Sequence, residues 1–466
     1  MSLNRLSIFL LLLTLPLMTK GQEQDRRVRV GGFVIEGNRI TRDNIIIREL
    51  PFRIGDQIAE SQLSRVLREA QVNLVNTSLF NFVELSSTEP DSLSNVHIHI
   101  LVTERWYIWP VVDVYFEDRN LSTWIKESNS ERITYNLGAR VENFMGMNNT
   151  LSATVTVGFQ KGFRLNFSNI SLDPFGRQYL NLYAGMSLLH SSHVGAEHDK
   201  PHFIKATDRY ISEVYRIGAS YTYRKNVRRR HTVNLEAEYK YIDDTILKVN
   251  PEYWGSKHLR QSSVYMSYGY QHDERDYIHY PTVGYYLAGS LRGSTNHDLS
   301  VFYGRLTGDF RYYQPLHGRW YASTILKMGV SAKNAHAYVF DRAIGYDDIQ
   351  LRGYESYIVD GQHYVVNNNT LSFNILPRRN MQVGFLRNVP QFGKIHVSIF
   401  GRAYCDMGYA YHDYPTVHNH LSNRFLISGG VGLDIVTFYD IILMFDYAFN
   451  REGTPGFFFR VRTPFF

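Results

Sequence analysis

The chain has 466 residues, a formal charge of only +6 and an aromatic content of 14%, which is typical of β-strands and of membrane interfaces. The low charge argues against a dedicated nucleic-acid-binding protein, because such proteins concentrate basic residues on one face. The single cysteine, Cys405, excludes a disulfide framework and a cysteine-based metal site within the chain.

The first residues predict an export signal. Arg5 gives a positive start, and the apolar run from Leu6 to Met18 is too short to span a bilayer comfortably. Small residues flank Lys20, so we expect a signal peptide of residues 1–21, cleaved after Gly21. No later stretch reaches the roughly 18 apolar residues of a membrane helix, which leaves a soluble secreted protein or a membrane barrel.

Residues 22–104 predict a compact α+β domain of order β-α-α-β-β. Thr41 is placed to cap a first helix that runs to Leu50. A second helix carries one apolar stripe at helical spacing, which predicts the side that packs on the core. The predicted strands are 28–36, 81–87 and 96–103, and the stripe consists of Leu63, Val66, Leu67, Ala70 and Leu74.

Residues 105–466 alternate apolar and polar side chains with period two. Leu137, Val155 and Val157 are examples of the apolar set, and Thr154 belongs to the polar set. Alternate side chains of a strand point to opposite faces, so one face is apolar and the other polar. The strands of a soluble β-sandwich also alternate apolar and polar side chains. Many strands of about ten residues, with both charge signs on the polar face, favour a transmembrane antiparallel β-barrel of about 16 strands.

The sequence carries no recognisable catalytic motif: G-x-S-x-G, H-E-x-x-H, the P-loop and paired cysteines do not occur. We therefore expect neither an enzyme nor a cofactor. His418 and His420, and the pair Asp347 and Asp348, are interpreted as chance neighbours in loops rather than as metal sites. Longer polar gaps predict extracellular loops at 190–210, 243–259, 333–365 and 409–424.

The longest of these loops contains the segment Leu351-Arg352-Gly353-Tyr354-Glu355. A later strand places His396, Ser398, Arg402 and Asp406 on one parity, which predicts that they face the lumen. If the loop folds inward, Arg352 can meet Asp406, and the shielded ion pair would hold the loop. The alternative is a surface loop with a solvated arginine.

Several segments together resemble the BamA/TamA superfamily of outer-membrane assembly and transport proteins. The N-terminal domain resembles a POTRA domain, LRGYE resembles the motif of the loop that plugs the barrel, and CDMGYA resembles the strand that receives its arginine. Leu351 departs mildly from the usual Val, only one POTRA domain fits before the barrel, and Pro464 disturbs the last alternation. The segments are FVIEGNRIT (33–41), TSLFNFVEL (77–85), DERDYIHYPTVGYYL (273–287), LRGYE (351–355), CDMGYA (405–410) and GVGLDIVTFYDIILMFDYAF (430–449).

The resemblance implies an outer-membrane barrel with a periplasmic POTRA domain, which helps to insert or translocate other proteins. Partners would be outer-membrane lipid and protein clients or periplasmic subunits docked on the POTRA domain, with no nucleic acid. Arg352, Gly353, Tyr354 and Asp406 would form the loop-to-lumen lock. A transport pore without an assembly role is the alternative, and an outer-membrane enzyme is a remote third reading.

Overall fold

The structure is a computed structural model. It describes residues 26–116, 133–297, 299–382, 394–415 and 418–463. The predicted signal peptide and Pro464 lie outside these ranges. Within them, no helix combines the length and the apolar character needed to cross a bilayer.

The N-terminal domain is a four-stranded sheet of order β2-β1-β4-β3 with two helices. Strands β1 and β4 pair in parallel, and the other two pairs are antiparallel. The three predicted strands and two helices are confirmed, and the short strand β2 was not predicted. The elements are β1 (Arg27–Glu36), α1 (Asp43–Ile47), β2 (Gln57–Ala59), α2 (Glu60–Asn76), β3 (Phe80–Ser87) and β4 (Asn95–Glu104).

The apolar stripe of α2 packs on the sheet as predicted, with Ala70 and Leu74 fully buried against the core. The predicted role of Thr41 as a helix cap is wrong. Arg42 precedes α1, and its side chain makes no capping hydrogen bond. The Thr41 hydroxyl instead lies 3.1 Å from the hydroxyl of Tyr107, at the junction with the second domain.

The second domain is one antiparallel sheet of sixteen strands, each paired with its neighbours in the sheet. This confirms the predicted strand number. The strands are β5 (Ile108–Phe116), β6 (Ile133–Phe144), β7 (Asn149–Gly158), β8 (Lys161–Ser171), β9 (Gln178–Leu189), β12 (Ser212–Asn226), β13 (Arg229–Ile242), β14 (Arg260–Asp273), β15 (Gly284–Asn296), β16 (Phe302–Pro315), β17 (Trp320–Lys333), β20 (His363–Gln382), β21 (Lys394–Tyr411), β22 (Phe425–Val436), β23 (Ile442–Asn450) and β24 (Gly456–Arg462).

The barrel has two unlike ends. The near end faces the N-terminal domain and carries turns such as 145–148, 227–228, 274–283 and 437–441. The far end carries the long connections, which contain additional structure that the sequence did not predict. These additional elements are the hairpin β10 (Ser191–Glu197) and β11 (Lys200–Lys205), the helix α3 (Asp244–Val249) and the strand pair β18 (Arg342–Ile344) and β19 (Val359–Asp360).

Side-chain exposure follows the predicted parity of the strands. Leu137, Val155 and Val157 are 46%, 53% and 39% exposed on the outer face. Thr154, between the two valines, is only half-buried on the inner side. The sixteen strands form one continuous sheet whose outer face carries exposed apolar side chains, which is the surface that the hydrocarbon of a bilayer accepts.

A three-residue linker joins the two domains between Glu104 and β5. Arg105 Nη1 donates to Asp440 Oδ2 at 2.6 Å, and the backbone N–H of Trp106 donates to the Tyr439 hydroxyl at 2.8 Å. The ring of Trp109, on the first barrel strand, lies edge-on to that of Tyr439, with centroids 4.9 Å apart. Since Tyr439 lies in the turn between β22 and β23, these contacts hold the linker and the start of β5 beside that turn.

Candidate functional site: a loop lock in the lumen and the seat of the N-terminal domain

The far-end loop between β17 and β20 folds into the lumen, and Arg352 reaches the wall. Its Nε donates to Asp406 Oδ2 at 2.7 Å and its Nη2 to Asp406 Oδ1 at 2.6 Å. The same Nη2 donates to the Thr370 hydroxyl at 2.9 Å. The guanidinium also lies over the Tyr404 ring, 4.0 Å from its centroid. This two-point arrangement is one that a lysine cannot reproduce.

Asp406 is completely buried and accepts further hydrogen bonds from the wall. Asn368 Nδ2 donates to its Oδ2 at 2.7 Å, and the backbone N–H of Asn369 donates to its Oδ1 at 3.2 Å. A buried ion pair needs such additional bonds to offset the cost of removing both charges from water. The carboxylate is therefore held in place by its own strand pair, and the arginine is the movable partner.

Gly353 and Tyr354 fix the loop beside Arg352. Gly353 has φ +86°, and a side-chain carbon there would lie 3.1 Å from the Ser428 Cβ. The Gly353 carbonyl accepts from Asn450 Nδ2 at 2.7 Å. Tyr354 is 2% exposed, and its hydroxyl donates to the Ile427 carbonyl at 3.4 Å. The four residues predicted as a lock are thus brought together in one place.

An apolar cluster supports the lock from the loop side. Leu351, the departure from the family pattern, is 2% exposed and belongs to it. Because the cluster joins the loop to strands β20, β21 and β22, the loop is packed against the wall as well as hydrogen-bonded to it. Its buried members are Ala343, Ile344, Ile349, Leu351, Tyr354, Val359, Tyr364, Val366, Ala410, Leu421 and Leu426.

A second buried ion-pair network lies closer to the near end of the barrel than the lock does. It was not predicted from the sequence. Arg402 Nη2 lies 2.8 Å from both Asp434 Oδ1 and Asp446 Oδ1. Arg460 Nη2 donates to Asp446 Oδ2 at 2.6 Å. These residues share the inward parity of their strands, which was the available signal. The network ties β21, β22, β23 and β24 together on the lumen side.

The near end of the barrel forms a seat for the N-terminal domain. Glu49, 1% exposed, accepts from Arg224 Nη1 at 2.8 Å, and its second oxygen accepts from Arg224 Nη2. Burial alone would raise the pKa of Glu49. The charge of Arg224 and its hydrogen bonds outweigh that effect, so the pKa lies below the usual carboxyl value. We call this pair of Glu49 and Arg224 the clasp. Its carboxylate is therefore ionised at neutral pH.

Further contacts extend the seat around the near end. Arg228 Nη2 donates to Glu69 Oε1 of α2 at 3.0 Å. The Ser78 hydroxyl lies 3.0 Å from His279 Nε2. Burial, and then the positive charge of Arg105, lower the pKa of His279 to about 4, so this imidazole is neutral at pH 7. The domain and the near end of the barrel line an open cavity of about 690 Å³.

Two other loop residues singled out in the sequence, Asp348 and His418, take no part in the contact between Arg352 and Asp406. Asp348 pairs with Lys327, with Nζ 2.5 Å from Oδ2. The backbone carbonyl of His418 accepts from the Asp199 N–H at 3.0 Å. Among the residues that the structure describes, no group of three or more His, Cys, Asp or Glu side chains is placed to hold a metal ion.

Comparison with solved structures finds the same fold in CdiB from Acinetobacter baumannii, with 13% identity and a TM-score of 0.51, covering 93% of this chain and 73% of that one. BamA from Haemophilus ducreyi lacking POTRA domains 1-3 aligns with 16% identity and a TM-score of 0.48, covering 94% and 84% of the two chains. CdiB from Escherichia coli aligns with 12% identity and a TM-score of 0.49, covering 96% and 92%. No curated protein sequence matches the chain.

Two family profiles match the sequence itself. The surface antigen variable number repeat, the POTRA profile, matches residues 28–105, which include the whole four-stranded sheet. The Omp85 superfamily domain matches residues 143–460, more than half of the chain and nearly all of the barrel. The resemblance inferred from the sequence motifs is thereby confirmed, and the chain belongs to the Omp85 superfamily.

Proposed function

We propose that this protein resides in an outer membrane, with its N-terminal domain in the periplasm, and that it helps to insert or translocate other proteins there. Membership of the Omp85 superfamily supports this role. The exposed apolar outer face of the barrel supports the membrane location. The near end is then periplasmic and the far end extracellular. The proposal includes no catalytic step.

The observation that carries the proposal is the bidentate contact between Arg352 and Asp406. It holds a loop inside the lumen, and the apolar cluster around Leu351 packs that loop against the wall. A pore for the passive diffusion of solutes needs an open lumen. A loop fixed by a buried ion pair instead supports a barrel that changes state during a cycle with a protein client.

The N-terminal domain offers an edge for clients or partner subunits. Strand β3 is at one edge of the sheet, and among the described residues it pairs with β4 alone. Its eight residues are long enough to receive an extended polypeptide by strand addition, whereas β2 at the opposite edge has three. We propose that clients bind to the edge strand β3. Pairing between backbone groups would give affinity for a client with little dependence on its sequence.

The test is a reconstituted insertion assay. The full chain is placed in liposomes, a urea-denatured outer-membrane barrel is added, and the protease-protected fraction of that client is measured. Arg352→Ala is expected to lower the insertion rate at least tenfold. Arg424→Ala, a matched change at an exposed far-end arginine, should leave the rate unchanged. Equal rates for liposomes with and without the protein would contradict an assembly role and favour a dedicated transport pore.

A further inference from the structure

The lipid-facing side of the barrel carries two asparagines in the middle of β20. Asn367 and Asn369 share the strand parity of Val365 and Leu371, which are exposed on the outer face, so both asparagines point outward. Asn368, between them, points to the lumen and donates to Asp406. Along the sheet, Asn369 is paired with Thr324 on β17 and with Cys405 on β21. Phe373 follows Asn369 by four positions and Tyr411 follows Cys405 by six, so the patch lies between the aromatic residues of the two ends.

The asparagines form a hydrogen-bonded ladder across the three strands. Asn367 Nδ2 donates to the Thr324 hydroxyl at 3.0 Å and to the Ile325 carbonyl at 3.3 Å. Asn369 Nδ2 donates to Asn367 Oδ1 at 2.6 Å and to the Cys405 carbonyl at 3.3 Å. Both amide hydrogens of each residue are thus used. Within the described parts of the chain, no donor reaches Asn369 Oδ1, and no acceptor reaches the Thr324 hydroxyl or the Cys405 thiol.

The surface at this place is concave. A depression of about 550 Å³ opens outward, and its floor includes Ala322, Ala403 and Cys405. Polar groups in hydrocarbon are costly, and lipid chains bring neither a donor nor an acceptor. Contacts between transmembrane helices combine small residues with hydrogen-bonding side chains, because small residues let two backbones approach closely, and this patch has the same composition.

We propose that this patch, defined by Ala322, Thr324, Asn367, Asn369, Ala403 and Cys405, is the contact surface for a second copy of this chain in the membrane. A two-fold contact requires a patch that is complementary to itself. This patch meets that condition, since it exposes an acceptor on Asn369 together with donors on Thr324 and Cys405. Each copy then supplies the hydrogen bonds that the other lacks, and the depression receives the facing strand.

The experiment measures self-association of the full chain in detergent micelles by sedimentation equilibrium. Asn369→Leu is expected to raise the dimer dissociation constant about 3- to 15-fold, from the measured range of membrane hydrogen bonds. Ala403→Phe, which fills the depression, should leave the protein monomeric. Ala237→Phe is the matched control, because Ala237 is exposed on the outer face of β13. It should dimerise like the natural chain. The strand signal in circular dichroism verifies that each variant is folded.

The native cysteine provides an independent readout in membranes. A short bismaleimide should link two copies through Cys405, whereas a Cys405→Ser and Ala237→Cys double variant should stay unlinked. A natural chain that is monomeric at all concentrations, a dimer unaffected by Ala403→Phe, or equal linking at residue 237 would each overturn the proposal. Linking of Cys405 only to a protein of different mass would also overturn it, because the patch would then serve another partner.

Discussion

The Arg224 guanidinium, at the near end of strand β12, closes on the Glu49 carboxylate of the N-terminal domain, with Nη1 2.8 Å from Oε1. The two residues are 175 positions apart in the chain, and both are buried. A charged contact that is shielded from water therefore helps to fasten the domain to the barrel, and the strength of this contact depends on the ionisation of one carboxylate.

Glu49→Gln should weaken the seating of the N-terminal domain by about 3–5 kcal/mol, because it leaves Arg224 buried without a counter-charge. The expected result is faster protease cleavage within residues 22–104 of the otherwise intact protein. Glu60→Gln, a change at an exposed carboxylate of the same domain, is the control. Unchanged cleavage in the Glu49 variant would show that the clasp contributes nothing to docking.

The seating should also depend on pH. Because the pKa of Glu49 is lowered by the clasp, its contribution is complete above the usual carboxyl value of 4.5 and is lost as the pH falls through the lowered value. The pKa of His279 is lowered to about 4, so its contribution begins to fall below 6.5. Protease cleavage between pH 7 and pH 3 should accelerate in two steps. Glu49→Gln should remove the lower step and leave the upper one.

Arg352→Ala should release the plugging loop while the barrel still forms, since the loop loses its bidentate bond but the strand ladder is untouched. Hydrogen exchange of residues 342–360 measures the release. Asp406→Ala in the same chain should add little, and the two changes together should cost less than the sum of the single changes. Strictly additive effects would show that the two side chains act independently.

Gly353→Ala should loosen the same loop by a different route. An alanine at φ +86° is strained by about 1–2 kcal/mol, and its Cβ would also press on the Ser428 Cβ at 3.1 Å. Hydrogen exchange of the loop should rise, although less than in Arg352→Ala. Gly453→Ala, at φ +71° in the turn before β24 with open space around it, separates backbone strain from the contact with Ser428.

Val155→Arg should destabilise the barrel by about 2–4 kcal/mol, because it places a charge in the lipid near the middle of β7. Thr154→Arg, one residue away on the lumen side, should cost much less. Urea unfolding in lipid vesicles gives both values. Equal losses would show that the assignment of the two faces is wrong.

The alternation of residues such as Val155 and Thr154 was enough to predict the strands, because each strand repeats the pattern within its own sequence. The lock could also be predicted from the sequence, since strand parity placed Asp406 on the lumen side and the loop motif supplied Arg352. Thr41 shows where local reasoning fails. Its position suggested a helix cap, but the hydroxyl is used at the junction with Tyr107. The competing partner lies 66 residues away, and local sequence carries no sign of it.

The partners in the clasp between Glu49 and Arg224 and in the network around Arg402 could not be predicted for the same reason, although strand parity gave the inward direction of Arg402. The clasp joins residues 175 positions apart, and the network joins four consecutive strands whose side chains meet only once the sheet has formed. The short strand β2 and the hairpin of β10 and β11 were also not predicted from the sequence. The first has three residues, and the second lies in a polar stretch without long alternation.

The contact between Arg105 and Asp440 spans 335 residues of sequence. It connects the linker between the two domains to the turn between β22 and β23. Arg105 has no access to this partner until strands β22 and β23 have formed. The N-terminal domain, although synthesised first, therefore completes its contacts with the barrel only after these two strands are in place. A barrel arrested before its final hairpin would lack this contact while keeping the Glu49–Arg224 pair, so the Arg105–Asp440 contact reports whether the barrel has been completed.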